Sequence, residues 1–316
     1  YQKIANDKLV FFSGEWVGKT KHQFSKLLGL HKASLSQKII AITASVTLLI
    51  LGLAFAYEQV QKQNIEQHVA ISESSALADL VDSLMTKKFE LGITNAIGIT
   101  SSLELQTAAT NNDQQVLSSI LSGIGAKYRA MTGLKNIKLH FTNEDMQSYY
   151  KSWKPLEKQS VSDLSSRGYL KTLATEQQPM TVLAVSSAGF NIKSIVPIVQ
   201  NGKFEGGAEL IQGVGSIRRD FAKNNQAYLL TVSKEYILAG DKFRQMNAKN
   251  IPISADNQWV VGNDKQFSME NSGEQIEVLR HIDLATLFKN GYLTTNSHFH
   301  FAKPIYDSAK KLIGYH

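Results

Sequence analysis

Ile39–Tyr57 reads IIAITASVTLLILGLAFAY, nineteen residues without a charge and with only Thr43, Ser45 and Thr47 carrying aliphatic hydroxyls. As a helix rising 1.5 Å per residue it is roughly 28 Å long, enough to cross a hydrocarbon core of about 30 Å. A secretory signal would have a shorter apolar core, about 7–15 residues. The Ala-Phe-Ala triplet at 54–56 imitates a cleavage site, but the run is too long, and it is read as a retained membrane span. A buried core helix fits poorly, because neither face of the run is polar.

The flank gives the orientation. The first 38 residues hold seven lysines (Lys3, Lys8, Lys19, Lys21, Lys26, Lys32, Lys38) against Asp7 and Glu15, a local charge of +5. Positive flanks stay inside, which predicts a cytoplasmic N-terminus and an exported C-terminal part. Taking the tail's residues from the chain's 34 basic and 27 acidic side chains leaves 27 against 25 beyond it, a balance of +2. The high isoelectric point therefore reports topology and speaks against a nucleic-acid surface. In the tail, Phe24, Leu27, Leu28 and Leu30 among lysines read as floppy chain or an interfacial turn. The absence of cysteine suits an oxidising space and excludes a cysteine nucleophile, a thiolate zinc site or a thiolate-held iron–sulfur cluster.

All five prolines, Pro155, Pro179, Pro197, Pro252 and Pro304, fall after residue 154. From Glu58 to about Thr110 there is no proline, and Leu77, Leu80, Val81, Leu84 and Leu91 form a helical stripe that Ile97 and Leu103 extend. This predicts a stalk helix continuing out of the membrane, packed on another helix or subunit. Asn111-Asn112-Asp113 caps a second helix, from Gln114 to about Met131, which ends at Gly133. The period then changes from 3.6 to 2. Strands are predicted at Ile137–Thr142, Met146–Trp153, Met180–Ser186, Phe190–Val199 and Phe204–Gln212, with a helix from about Ser160 to Thr175. Turns fall at Asn-Glu-Asp, Ala-Gly and Asn201-Gly202, the last a strong hairpin signal.

A second, smaller set follows. It comprises strands at Ala227–Val232, Tyr236–Leu238, Gln275–Val278, His298–Ala302 and Leu312–His316, an Asn/Gln/Lys-rich stretch to about Ser272 and a short helix Asp283–Phe288. The fold class is α+β: a transmembrane helix running into a long stalk helix, then two antiparallel-sheet modules. The expected divisions are a tail (1–38), the span (39–57), the stalk and second helix (58–133), a membrane-distal module (134–224) and a membrane-proximal module (225–316).

Several motifs, in order, carry a resemblance: Ser152-Trp153-Lys154-Pro155, Asp163-Leu164-Ser165-Ser166-Arg167, Ile192-Lys193-Ser194-Ile195-Val196-Pro197-Ile198 and Gly206-Gly207-Ala208-Glu209-Leu210-Ile211-Gln212-Gly213. Near the end come Leu287-Phe288-Lys289-Asn290-Gly291-Tyr292, Pro304-Ile305-Tyr306-Asp307 and Ile313-Gly314-Tyr315. From Glu58 to His316 the chain resembles the extracytoplasmic double Cache (PAS-like) sensor domains of bacterial transmembrane receptors, most closely those of methyl-accepting chemotaxis proteins. It departs from them where Val161-Ser162-Asp163 replaces the family's Gly-Asp-Asp, where no Phe precedes Arg167, and where Lys193 stands for an arginine.

The resemblance implies a periplasmic pocket for a small molecule, or for a periplasmic binding protein, on a homodimer in the bacterial inner membrane. It further implies a return span leading to a HAMP segment and a kinase-regulating coiled coil. Because the chain starts at Tyr1 and stops at Gly314-Tyr315-His316, a fragment is expected. The alternative outputs are a histidine kinase or a diguanylate cyclase. No cofactor is expected.

Trp153, Lys154, Asp163, Arg167, Lys193 and Glu209 are the ligand-binding candidates. Arginine offers a planar fork to a carboxylate, lysine a point charge, tryptophan an apolar wall and an acid a partner for an amine. Each has a structural reading too: Asp163 as a cap of the helix containing Arg167, Trp153 as core, and Glu209 paired with Lys193 across the sheet. His298 and His300 share a strand face without a third ligand, so no metal site is expected, and His140 is read as an ordinary strand residue. The Gly206-Gly207 and Gly213-Val214-Gly215 runs lack nucleotide-loop spacing. With no Gly-x-Ser-x-Gly elbow or His-Glu-x-x-His pair, the chain is read as a sensor and not an enzyme.

Overall fold

The computed structural model describes residues 34–132, 137–186, 189–238, 251–254, 258–261, 273–307 and 310–316. The tail turn at Phe24–Leu30, Gly133, Ala188 of the Ala-Gly turn and most of the Asn/Gln/Lys-rich stretch lie outside them. The chain divides into two units, Tyr1–Val69 and Ala70–His316.

In the first unit, the described residues from Leu35 onward are helical and belong to α1 (Leu35–Thr100). Its apolar run has a mean hydropathy of 2.5 over eighteen residues, none of them buried, so the helix is long and apolar enough to span a membrane. Thr43 and Ser45 turn their hydroxyls back onto the carbonyls of Ile39 and Ala41, at 2.9 and 2.8 Å. Both polar groups are thereby satisfied within the helix itself.

The second unit is built on two antiparallel sheets. The remainder of α1 lies across the first with Val81, Met85, Gly92, Ala96 and Ile99 inward. The predicted stripe holds through Leu84 and then shifts. Leu91, Ile97 and Leu103 are exposed, because the helix meets the sheet through small residues: a Cβ on Gly92 would collide with the side chains of Ser194 and Gln212. The helix also stops sooner than predicted. It breaks at Ser101-Ser102, where the Ser102 hydroxyl accepts from the Leu105 amide and caps α2 (Leu103–Thr110). Asp113 caps α3 (Gln114–Met131), accepting from the Gln115 and Val116 amides.

The first sheet contains β1 (Lys138–Asn143), β2 (Gln147–Lys151), β3 (Ser162–Asp163), β4 (Met180–Ser186), β5 (Gly189–Gln200) and β6 (Lys203–Gln212), in the order β3-β2-β1-β6-β5-β4. Asn201 and Gly202 both adopt positive φ (52° and 77°), which forms the predicted β5–β6 hairpin turn. Register sends Leu139, Phe141, Ala208, Leu210 and Val196 to one face, where they join Ala96, Ile99, Leu105, Leu117 and Leu121 in a helix-covered core. His140, Glu209, Lys193 and Ile195 face the other way. That second face is covered by α4 (Gly168–Glu176) through Leu170 and Leu173, packed on Ile195.

The predicted helix from Ser160 is corrected to this shorter one. Leu164 donates its amide to the Met146 carbonyl, and Asp163 Oδ1 accepts from the Ser165 amide, so the segment pairs with β2 and turns before helix can begin.

After α5 (Gly215–Lys223) come β7 (Thr231–Ser233), α6 (Lys234–Leu238), β8 (Ile251–Pro252), β9 (Trp259–Val261), α7 (Gly273–Arg280), α8 (Leu284–Asn290), β10 (Tyr292–Thr294), β11 (Phe299–Phe301), β12 (Pro304–Tyr306) and β13 (Leu312–Tyr315). The second sheet runs β12-β13-β7-β9-β8, with β10 and β11 a separate pair. Tyr236–Leu238 and Gln275–Val278, predicted as strands, are helical. Ser233 Oγ accepts from the Tyr236 amide, starting α6, and Ile276 and Leu279 put their apolar side chains on one helical face of α7. One core joins the sheets: Val81 and Met85 of α1, Phe190 and Ile192 of β5, Ile217 and Phe221 of α5, and Val232, Ile305 and Ile313 of the second sheet. Each such side chain contributes about 1.5–3 kcal/mol of burial.

Candidate functional site

On the α4-covered face of the first sheet, Glu209 is wholly buried at the centre of a polar network. It sits directly opposite His140 on β1, and Lys193 on β5 reaches it diagonally. Lys193 Nζ lies 3.0 Å from Glu209 Oε2, and His140 Nδ1 lies 2.8 Å from the same oxygen. The Tyr169 hydroxyl, from the first turn of α4, donates to Oε1 at 3.0 Å. It accepts in return from Lys193 Nζ at 2.7 Å and from Arg167 Nη1 at 3.0 Å. A phenol has one proton to give and two lone pairs to fill, so Tyr169 is fully engaged.

The electrostatics follow from burial and pairing. Burial raises the Glu209 carboxyl, but Lys193, His140 and Arg167 together bring it well below the usual carboxylate range. Burial lowers the His140 imidazole despite Glu209 beside it. Neutral His140 then has one tautomer that fits: Nδ1–H donates to Glu209 and Nε2 accepts from Ser148 Oγ at 2.7 Å. Burial, then the Glu209 charge, raises the Tyr169 phenol, which keeps its proton.

The mouth of the site is the β2–α4 connection. Gln159 holds it shut on itself, accepting from the Lys151 amide at 2.9 Å and donating to the carbonyls of Lys151 and Lys154 at 2.9 and 2.8 Å. This fixes Trp153, which is 41% exposed and has its ring edge toward His140 at a centroid distance of 6.2 Å. Lys151 lies opposite His140 on the same sheet face. Burial foremost, then Lys154, Arg167 and Lys193, lowers its proton affinity, while Glu209 raises it. An open groove of about 430 Å³ lies on the other face of the sheet, between α3 and the ends of β1 and β2, with Leu121, Arg129, Tyr150 and Trp153 on its walls.

Of the six candidates named from the sequence, Arg167, Lys193 and Glu209 converge in the network, with Trp153 and Lys154 at its mouth. Asp163 is exposed and serves the Ser165 turn, four residues before Arg167, the N-cap of α4. Residue type alone missed Tyr169, Ser148, Gln159 and His140. His140 is no ordinary strand residue but the ring that bridges β1 to β6 and β2. His298 and His300 have rings 5.9 Å apart, and no group of three or more potential metal ligands occurs among the described residues.

No protein-family model matches the chain, and no curated protein matches it. Among solved structures it is similar to the sensor domain of the Vibrio cholerae histidine kinase DctB (12% identity, 53% of this chain and 63% of that one, TM-score 0.41). It is also similar to a domain of a sensory box/GGDEF family protein from Vibrio parahaemolyticus (10% identity, 79% and 95%, TM-score 0.47). A third is the ligand-binding domain of the Campylobacter jejuni chemoreceptor Tlp3 in complex with 4-methylisoleucine (10% identity, 74% and 86%, TM-score 0.38). The chain thus spans under two thirds of the DctB domain and most of the other two.

Proposed function

We propose that this chain is the ligand-sensing region of a membrane-anchored double Cache receptor, and that the network under α4 is its small-molecule site. One observation carries the reading. Tyr169, on the covering helix, is hydrogen-bonded to Lys193 and Glu209 on the sheet at 2.7 and 3.0 Å and accepts from Arg167 at 3.0 Å, so a molecule entering there must exchange partners with both layers. Ser194, next to Lys193, faces the opposite side, where it meets Gly92 of α1. A displaced Lys193 therefore bears directly on the helix that carries the apolar run. The bias on α1 is limited to the ligand's differential affinity for the two positions.

The output assigned is chemotactic, supported by the order of the motifs from Trp153 to Tyr315. A homodimer along α1 belongs to the same reading, supported by the exposed Ile71, Leu91 and Ile97.

The test is a thermal-shift screen of the whole chain in detergent micelles against amino acids, organic acids and amines. A saturable rise in melting temperature that Arg167→Ala abolishes is expected. If no compound shifts the transition, and Arg167→Ala leaves taxis of a cell carrying the full receptor intact, the reading fails. In that case, capture of a soluble periplasmic binding protein would mark the site as a docking platform.

A further inference from the structure

The groove between α3 and the ends of β1 and β2, about 430 Å³, opens on the sheet face away from the network under α4. Its floor is core: Leu121, Leu139 and Tyr150 are buried and belong to the helix-covered cluster. Ile124, Ile137 and Trp153 also line it. The side-chain hydroxyls that the strands bring to the groove are engaged. Ser152 Oγ accepts from the Leu139 amide at 2.9 Å and donates to the Ile137 carbonyl at 3.3 Å, and the Tyr150 phenol bonds to Ser118.

Arg129 is different. A helical side chain leans toward the N-terminus of its helix, and Arg129 reaches back one turn, so that its Nη1 lies 3.4 Å from where a Cβ on Gly125 would stand. No other side chain of the described residues comes within 4 Å of that point. The missing side chain at Gly125, itself a lining residue, therefore seats the guanidinium in the groove. Among the described residues Arg129 has no hydrogen bond or ion pair, and no Asp or Glu lines the groove.

We infer that this groove is a binding site separate from the one under α4, and that it takes a monocarboxylate with a compact apolar body, of the arylalkanoate class. The carboxylate sits on Arg129 and the body against Leu121, Ile124, Ile137 and Trp153. A guanidinium presents a planar pair of N–H donors that matches a carboxylate. The volume falls within the range of small-molecule sites, roughly 300–1,000 Å³. A second negative charge on the ligand would lie unpaired against apolar walls, and an amine would meet the Arg129 charge. The inference goes beyond the sensing role proposed for the α4 side and does not depend on it.

The full chain in detergent micelles is titrated by calorimetry with benzoate, phenylacetate and 3-phenylpropionate. Acetate, phenylacetamide and phenethylamine are the comparators, and each heat is corrected for empty micelles. The best of the three aryl acids is expected to bind ten-fold or more tighter than every comparator. Arg129→Gln, at an exposed position, should weaken it ten-fold or more, to the level of phenylacetamide. Gly125→Leu fills the groove while replacing a poor helix former with a good one. It should abolish binding and leave the melting temperature of the free protein unchanged or raised. Lys203→Gln, at the start of β6 and paired with Glu144, should change nothing.

Equal affinity for phenylacetamide, unchanged affinity in Arg129→Gln, or no binding of any aryl acid overturns this inference and leaves the sensing reading standing. If Arg167→Ala abolishes binding while Arg129→Gln does not, the acid is held under α4, and the groove assignment alone fails.

Discussion

Glu209 and Lys193 form a buried ion pair whose value lies in its completeness. Removing one partner strands the other charge in a low-dielectric interior, which typically costs 3–5 kcal/mol, whereas replacing both with apolar groups is often neutral. Glu209→Gln should therefore lower unfolding free energy by about 3–5 kcal/mol, and the double variant Lys193→Met/Glu209→Leu should recover most of that loss in denaturant titrations. A double variant as unstable as the single one would mean that Tyr169 and His140 depend on the carboxylate more than Lys193 does.

His140 gives the site its pH dependence. Its folded-state pKa lies below the ordinary value of about 6.5, so the unfolded chain takes up the proton more readily. Stability should be full above about pH 6.5 and decline as acidification proceeds toward the depressed value. Glu209, also depressed, adds its own decline only below the usual carboxylate range. His140→Gln can still donate to Glu209 and accept from Ser148 without titrating. Its stability should be flatter than that of the parent between about pH 6.5 and 5; an unchanged slope would place the titrating group elsewhere.

At this scale the sequence was half legible. Arg167, Lys193 and Glu209 could be singled out by chemistry, but Tyr169 and His140 acquire their roles from strand parity and from where α4 begins. The alternation of His140 and Thr142 with Leu139 and Phe141 was the one available signal that the polar side of β1 is itself enclosed.

Elements were read best where a single period or cap governed them. Asp113 was legible as a cap because its side chain alone satisfies two orphan amides; Asp113→Ala should cost about 1 kcal/mol. Two short elements after Asn225, Tyr236–Leu238 and Gln275–Val278, were misread because helices of five to eight residues hold too little periodicity to be told from strands. Their caps and ion pairs, such as Ser233 with Tyr236 and Glu277 with Arg280, carry the distinction.

The stripe on α1 was misread past Leu84 for a different reason. Large apolar residues attract attention, yet close approach to a sheet demands small ones. Two glycines of α1 separate these effects. Gly98 has open space where a Cβ would go, so Gly98→Ala should stabilise by up to about 1 kcal/mol through helix propensity alone. Gly92→Ala gains the same propensity but drives a methyl into Ser194 and Gln212, and overpacking of this kind costs about 1–3 kcal/mol. Thermal unfolding should move in opposite directions for the two variants; the same upward shift in both would show that α1 is free to lift from the sheet.

For the whole molecule, the deciding quantity is the asymmetry of charge across Ile39–Tyr57. The twenty or so residues before the run hold Lys19, Lys21, Lys26, Lys32 and Lys38, while the comparable stretch after it holds Lys62 alone among Glu58, Glu66 and Glu73. Lysine counts within about 15–20 residues of a span set its orientation, and acidic residues contribute little. Nothing within the run opposes insertion, since the hydroxyls of Thr43 and Ser45 already bond within the helix. The expected topology places the tail in the cytoplasm and both sheets outside. An alkaline phosphatase fused after His316 should be active, and a β-galactosidase at the same point silent. Replacing Lys21, Lys26, Lys32 and Lys38 by Gln reduces the inner flank to the level of the outer one. The two reporters should then approach parity, because the bias that orients the helix is gone while its hydropathy is unchanged. A strong β-galactosidase signal from the parent chain would invert the topology, and would move the site under α4 from the exported side of the membrane to the cytoplasmic one.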